Sequence, residues 1–306
     1  DVCSSDLEKF DEIKLNPSVL NDVSHVDMSV NLFGEHMPHP LIIAPTAFHK
    51  IMHTDGELAT AKAAGRTSSI YTVSSFTTTT LEEIKQAATS PLWFQLYVRD
   101  DRSLTKDVVQ KAEALGFKAL VVTVDSPVFG VRNRQDKIRF ELPHNLHAPY
   151  ANFDSVTKTP ITWKDIEWLQ SLVNIPVLLK GILNNTDALI AIESGVSGII
   201  VSNHSGRNLD TVPATIEALP RIAESVNKKI PVLMDGGIRR GTDVLKAIAL
   251  GADAVLVGKP VCYGLACGGA DGVEKVLQIL KTEFEIAMKL TGKSSIAAID
   301  ETVIWK

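Results

Sequence analysis

One pattern constrains this chain more than any other. A short apolar segment rich in β-branched residues, followed by a stretch with helical periodicity, recurs eight times. The apolar segments run Leu41 to Ala44, Ile70 to Val73, Trp93 to Val98, Ala119 to Val124, Val177 to Leu179, Gly198 to Val201, Val232 to Met234 and Ala254 to Val257. Helical spacing follows around Glu57 to Ala64, Leu81 to Ala88, Leu104 to Leu115, Trp163 to Leu172, Thr186 to Ser194, Ala214 to Val226, Thr242 to Leu250 and Gly272 to Leu290. Thr79 with Glu82, or Thr80 with Glu83, offers a capping box, so the Thr77–Thr80 run reads as a helix cap. Strands that are apolar throughout are buried on both faces, which implies a parallel sheet. Eight such units favour closure into an α/β fold of the (β/α)₈ TIM-barrel kind over an open sheet.

Two stretches fall outside the alternation. Residues 1–40 read as an irregular N-terminal segment, with a small hairpin at Val30–Phe33 turning at Gly34 and placed to plug the bottom of the barrel. Residues 126–162 are polar, carry four prolines and have little periodicity, as expected of a lid loop over an active site. No linker divides the chain, so residues 1–306 are expected to form one barrel domain.

Composition narrows the partners. The formal net charge of -5 argues against nucleic acid or an anionic membrane as a partner. No apolar run approaches the roughly 20 residues that span a bilayer. Cys3, Cys262 and Cys267 form no C-x-x-C pair, which implies no metal site or disulfide framework and suits the reducing cytoplasm. The chain opens on Asp1 rather than Met, so its N-terminus reads as missing or altered.

Barrel enzymes place their chemistry at the C-terminal ends of strands. Those positions hold Pro45-Thr46-Ala47, Ser74-Ser75, Gln95 and Tyr97, Thr123 and Asp125, Lys180, Ser202-Asn203-His204, Asp235-Gly236-Gly237 and Gly258-Lys259. Folding alone has little use for so many polar groups there. The segment Asp235 to Gly241 combines free amides, Arg239 and Arg240 and a helix start, and Gly258-Lys259 adds a second basic corner. Together they read as a phosphate site, carried by a substrate or a cofactor.

His204 lies within Ser202 to Arg207, where a neutral-pH base and an anion anchor share one glycine-containing turn. Asp125 is the candidate to orient its ring. Lys180 has three possible uses in a barrel mouth: a Schiff base, a carboxylate pair, or support of an anionic cofactor. Arg132 is either a second guanidinium for a substrate carboxylate or a solvated loop charge. The other seven histidines, His49 among them, receive no role.

With these residues assembled, the chain resembles the FMN-dependent 2-hydroxy-acid oxidases and dehydrogenases, such as glycolate oxidase and lactate oxidase. The likeness runs from about Val26 to Ala298. It is carried by the segments Leu41 to Lys50, Trp93 to Val98, Val122 to Pro127, Val177 to Ile182, Ser202 to Asp210 and Val232 to Val244, all in family order. The resemblance implies oxidation of a small (S)-2-hydroxy acid, lactate-like or glycolate-like, to the 2-oxo acid. FMN would be the cofactor, and oxygen or another acceptor would take the electrons. It also implies a homo-oligomer, a tetramer by family habit.

Residue by residue, Pro45, Thr46, Ala47, Ser74, Gln95, Thr123 and Ser202 would surround the flavin ring and ribityl chain. Lys180 would sit by flavin N1 and O2. Asp235 would bind the ribityl chain, and Gly236, Gly237, Arg239, Gly258 and Lys259 would hold the phosphate. Arg132 and Arg207 would clamp the substrate carboxylate with Tyr97 near its hydroxyl. His204, backed by Asp125, would remove the proton.

Several positions depart from the family pattern. Ser205 and Asn208 replace a glycine and a glutamine around the histidine motif, and Lys259 replaces an arginine, exchanging a fork for a point charge. Residues 1–7 do not match the pattern, and the family's N-terminal tyrosine has no counterpart, which suggests a truncated N-terminus. Two rival readings remain: a phosphate-binding barrel enzyme without redox chemistry, and a flavin-binding pseudoenzyme lacking its N-terminal substrate-binding segment.

Overall fold

The structure, a computed structural model, describes residues 4–128, 130–131, 137, 141–151 and 160–305. Among the described residues there are ten strands, and the last eight alternate with helices in the expected order. They are α1 (Ser4–Glu12), β1 (Val30–Leu32), β2 (Glu35–Met37), β3 (Leu41–Ile43), α2 (His49–Met52), α3 (Gly56–Thr67), β4 (Ile70–Ser74), α4 (Leu81–Ala87), β5 (Leu92–Leu96), α5 (Arg102–Ala114) and β6 (Ala119–Thr123). Then follow α6 (Trp163–Leu172), β7 (Val177–Ile182), α7 (Asn185–Glu193), β8 (Gly198–Val201), α8 (Thr215–Val226), β9 (Val232–Met234), α9 (Gly241–Ala249), β10 (Ala254–Val257) and α10 (Lys259–Leu290). Strands β3 to β10 close into one barrel, β10 pairing with both β9 and β3, and every pairing in it is parallel.

The period of two along each strand sorts side chains into two compartments. Leu41, Ile43, Tyr71, Val73, Phe94, Val122, Leu179 and Val201 face the surrounding helices. Ile42, Ala44, Ile70, Trp93, Val121, Leu178, Ile200, Leu233 and Leu256 instead fill the barrel interior. Two residues further along, the same inward positions become Thr46, Thr72, Gln95, Thr123, Lys180, Ser202, Asp235 and Gly258. The barrel is thus apolar below and polar at its C-terminal mouth.

The bottom is closed by the expected hairpin. Val30 pairs with Met37, and the turn uses Phe33 and Gly34 in the left-handed region, as a two-residue turn requires. Leu32 and Met37 join the interior cluster, and Phe33 meets Trp93 edge-on with ring centroids 5.7 Å apart. A Cβ on Gly198 would lie 3.0 Å from the Phe33 ring, so this close approach depends on glycine there.

Three features differ from expectation. Residues 4–12 form a helix rather than an irregular segment; its buried face is only Asp6 and Phe10, one turn apart, too short a periodicity to stand out. The last helix begins thirteen residues earlier than Gly272, at Lys259, with Gly268 and Gly269 breaking it into two parts. In the threonine run, Thr80 forms the capping box with Glu83, while Thr78 and Thr79 bind Glu57. The proposed lid, 126–162, lies in part outside the described residues. No helix among the described residues is long and apolar enough to cross a membrane.

Candidate active site

Strand β8 ends at Val201, and the chain then enters a short turn in which His204, Ser205 and Gly206 all take positive φ. For His204 and Ser205 this left-handed backbone costs roughly 1–2 kcal/mol each, and strain of this kind concentrates at functional sites. The turn carries the imidazole over the mouth. His204 Nδ1 lies 2.9 Å from Asp125 Oδ1, and its Nε2 lies 3.4 Å from the Tyr97 hydroxyl. An ionised carboxylate only accepts, so the Asp125 contact places the proton on Nδ1 and leaves Nε2 as the basic nitrogen.

Asp125 reaches this position because β7 yields to it. Gly181 has φ 114° beside a register shift in that strand, and a Cβ there would lie 2.5 Å from Asp125 Cβ. Burial opposes the Asp125 charge. Hydrogen bonding from His204, with the charges of His204 and Lys180, outweighs it and holds the carboxyl below its ordinary range. Asn208 completes the join by donating to the Asp125 carbonyl at 2.8 Å and to Ser126 Oγ at 2.7 Å. The residue at this departure from the family pattern therefore still ties the sixth barrel strand to the fourth.

Lys180 is 5% exposed and has its Nζ 2.9 Å from both Asp235 Oδ2 and Ser202 Oγ. Burial works against its charge, but Asp235 and Asp125 overcome that and raise its pKa. A Schiff-base lysine needs a neutral amine. The structure thus argues against the Schiff base and shows a carboxylate-paired, fixed ammonium at the pocket floor, an arrangement that also suits support of an anionic cofactor. Gln95 links the neighbouring strands: its Oε1 accepts from Ser74 Oγ at 3.1 Å, and its Nε2 donates to Thr123 Oγ1 at 2.9 Å.

The seventh and eighth strand ends form the basic corner. Gly236 and Gly237, shortly before α9, have φ of 90° and 77°, a backbone of the kind that builds anion-binding nests. Burial, with the adjacent charges of Arg239 and Arg207, pushes Lys259 below its ordinary lysine value. Arg239 also lies over the Tyr263 ring at 5.8 Å. Among the described residues no carboxylate lies within ion-pair distance of Lys259, Arg239 or Arg207. Three cations held together without a counter-charge suit a bound dianion. One oxygen of Asp235 is buried without a hydrogen-bond partner, as a group awaiting a ligand hydroxyl would be. These residues fit FMN: the basic corner suits its phosphate, the free Asp235 oxygen its ribityl chain, and the Gln95, Thr123 and Lys180 layer its ring.

Helix α1 supports the same end. Asp6 Oδ1 accepts from Asn203 Nδ2 at 2.8 Å and from the Thr215 amide at 3.2 Å, and Phe10 packs on the Gly237 turn. Lys246 Nζ donates to the Phe10 carbonyl at 2.6 Å.

The structure therefore brings together nearly all the candidates. Pro45, Thr46, Ala47, Ser74, Gln95, Tyr97, Thr123, Asp125, Lys180, Ser202, His204, Arg207, Asp235, Gly236, Gly237, Arg239, Gly258 and Lys259 all sit at the mouth or in the loops that rim it. Arg132 lies outside the described residues. The sequence reading missed Glu57 and His49, both fully buried behind the Thr46 loop. No local signal marked them: the same βα unit also carries Lys50, His53, Asp55, Lys62 and Arg66, and only the packing shows which ionisable residues are buried.

Comparison with known proteins agrees. The family model described as FMN-dependent dehydrogenase matches residues 2–306, further at both ends than the motifs from Val26 to Ala298 show, and takes in the opening residues that read as unlike the family. A peroxisomal (S)-2-hydroxyacid oxidase of Arabidopsis thaliana is 45% identical over 94% of this chain and 84% of its own length. An L-lactate oxidase of a Nostoc species is 44% identical over 96% of this chain and 87% of its own. A mandelate oxidase mutant solved with the C4a-OH-FMN adduct superposes with a TM-score of 0.93 at 39% identity, covering 99% of this chain and 90% of that one. The chain is a (β/α)₈ barrel oxidoreductase whose cofactor is FMN, and it belongs to the FMN-dependent dehydrogenase family.

Proposed function

We propose that the protein oxidises small (S)-2-hydroxy acids of the lactate and glycolate kind to their 2-oxo acids, with oxygen as the final acceptor. The His204–Asp125 pair carries this reading. FMN, when bound, accepts the two electrons that leave the substrate carbon. His204 Nε2, the unprotonated nitrogen, with the Tyr97 hydroxyl 3.4 Å away, removes the proton, while Asp125, fixed at Nδ1, stabilises the imidazolium that forms. The Tyr97 hydroxyl, 3.4 Å from the same nitrogen, marks where the substrate hydroxyl sits. Arg207, on the turn that carries His204, clamps the substrate carboxylate together with Arg132, and orientation by such a clamp lowers the barrier. Lys180 would present a fixed positive charge to the flavin ring, and Gly236, Gly237, Arg239, Gly258 and Lys259 would hold the FMN phosphate.

The substrate's side chain meets an apolar wall. Phe48, Phe76 and Ala151 form a buried cluster of their own, with Tyr97, Leu142 and Ala148 packed on it. A short alkyl group gains from burial there, whereas a charged one is left unpaired. The names of the relatives, an (S)-2-hydroxyacid oxidase and an L-lactate oxidase, support the same class and the S configuration. A single barrel domain, a homotetrameric assembly and a cytoplasmic location complete the proposal. The peroxisomal name of the Arabidopsis relative makes localisation of a tagged protein the check on the last.

The test is anaerobic mixing of the flavin-loaded protein with L-lactate, glycolate and longer 2-hydroxy acids. Loss of the yellow flavin absorbance is expected with at least one of the short acids. A yellow protein that none of them bleaches would leave the pseudoenzyme reading standing instead.

A further inference from the structure

The mechanism above leaves one buried polar network unused, behind the strand-one loop. His49 is fully buried in α2, immediately after that loop. Both of its ring nitrogens are committed to hydroxyls, Nδ1 to Thr60 Oγ1 at 2.9 Å and Nε2 to Thr46 Oγ1. Its backbone amide donates to Glu57 Oε1 at 3.2 Å. The same buried carboxylate accepts from the Thr78 amide at 2.7 Å, the Thr78 hydroxyl at 2.7 Å and the Thr79 hydroxyl at 2.8 Å. Glu57 thereby locks the loop after β3 to the loop after β4, with His49 between it and Thr46. On its far side, the Thr46 methyl lies 3.7 Å from where a Cβ on Gly258 would stand, so Thr46 abuts the basic corner.

We infer that His49 is a positioning residue for the cofactor face: through its Nε2 it fixes the hydroxyl of Thr46, and so the shape and hydrogen-bonding of the wall that receives FMN. This rests on the reading of Thr46 as a cofactor-facing residue. Burial keeps the imidazole neutral and drives its pKa down. A neutral ring has one donor nitrogen and one acceptor, so one of the two hydroxyls must donate to it and the other accept from it. Thr46 therefore cannot turn freely: its hydroxyl hydrogen is either held by Nε2 or turned away from it. A leucine of similar volume would fill the space and lose this control. A structural role alone would ask only that the space be filled.

The experiment is a double-mutant cycle read as the FMN dissociation constant, measured by flavin fluorescence on dilution of the loaded protein. His49→Leu is expected to weaken FMN binding roughly 3- to 10-fold, the worth of one hydrogen bond. His49→Gln, whose amide nitrogen reaches the place of Nε2, is expected to bind within about twofold of the parent. In a Thr46→Val background, which lacks the hydroxyl, His49→Leu should cost less than about twofold. Unchanged affinity in His49→Leu, or an equal penalty with and without the Thr46 hydroxyl, overturns the inference. Should His49→Leu fail to fold, His49→Gln against His49→Asn decides, since asparagine reaches only Thr60; equal affinities for that pair overturn it as well. A parent protein that takes up no FMN at all would instead sink the functional reading, a result distinct from FMN uptake indifferent to His49.

Discussion

The two ends of the barrel are built from the same eight strands and obey opposite rules. At the bottom, Trp93, Ile70, Leu178 and Leu233 meet the hairpin residues Leu32 and Met37, and the layer is apolar and closed. At the mouth, two residues further along the strands, Lys180, Asp235, Gln95, Thr123 and Ser202 are largely or wholly shielded from water and hydrogen-bonded or charged. Burying apolar area stabilises a fold, whereas burying an ion pair rarely does so on balance. Among the described residues, the mouth also holds Phe48, His204 and Ser205 in left-handed backbone, one oxygen each of Asp125 and Asp235 without a hydrogen-bond partner, and three cations without a carboxylate at ion-pair distance. The bottom layer is where the sequence invests in stability, and the mouth is where it gives some of that up for chemistry.

The contrast breaks most visibly at His204. His204→Asn should retain FMN while the rate of flavin reduction by substrate falls roughly 10²–10⁴-fold, the usual contribution of a general base. Stopped-flow absorbance on the flavin-loaded variant reads this, and an unchanged rate would move the base elsewhere.

A smaller effect is expected at Lys180. Lys180→Met leaves the carboxylates of Asp235 and Asp125 without their common cation, and removing one partner of a buried pair costs about 3–5 kcal/mol. Urea unfolding followed by circular dichroism measures it. The pH dependence has a definite sign. The folded-state pKa is raised, so the stabilisation is fully present below the ordinary lysine value of 10.5 and is lost as pH rises through the folded value. The deficit of the variant should therefore be flat at neutral pH and shrink only in strong alkali. A deficit already shrinking near pH 7 would contradict the pairing.

The smallest effect belongs to the bottom. Gly198→Ala puts a methyl 3.0 Å from the Phe33 ring and 3.2 Å from the Pro231 carbonyl oxygen. Overpacking of this kind costs about 1–3 kcal/mol. Turnover per folded molecule should stay at the parent value, because the clash lies at the opposite end of the strand from His204. A variant of parental stability, or one that is stable but slow, would erase the division between the two ends.

How legible the site was varied from residue to residue. His204, Asp125, Lys180 and the Asp235–Gly237 turn were each readable, because strand ends in a barrel are where polar residues have no folding purpose. Helix α1 was not, since its contacts are with residues roughly two hundred or more positions away, Asn203 to Asp6 being separated by 197 positions and Phe10 to Lys246 by 236. His49 was assigned no role for a related reason. Its position beside an apolar strand looked unremarkable, and its three partners, Thr46, Glu57 and Thr60, converge on it only when α3 packs back on the loop.

By itself the sequence determined the periodicities, and with them the eight βα units, the hairpin and the list of polar strand ends. These are local properties: a period of two or of 3.6 residues, a glycine at a turn, a threonine at a cap. Only the tertiary structure decided which strand ends face one another. His204 meets Asp125 across 79 residues, and Lys180 meets Asp235 two barrel strands away. Such contacts depend on closure of the ring, on the register shift at Gly181 and on the helices packed behind the loops, and no short stretch of chain contains that information.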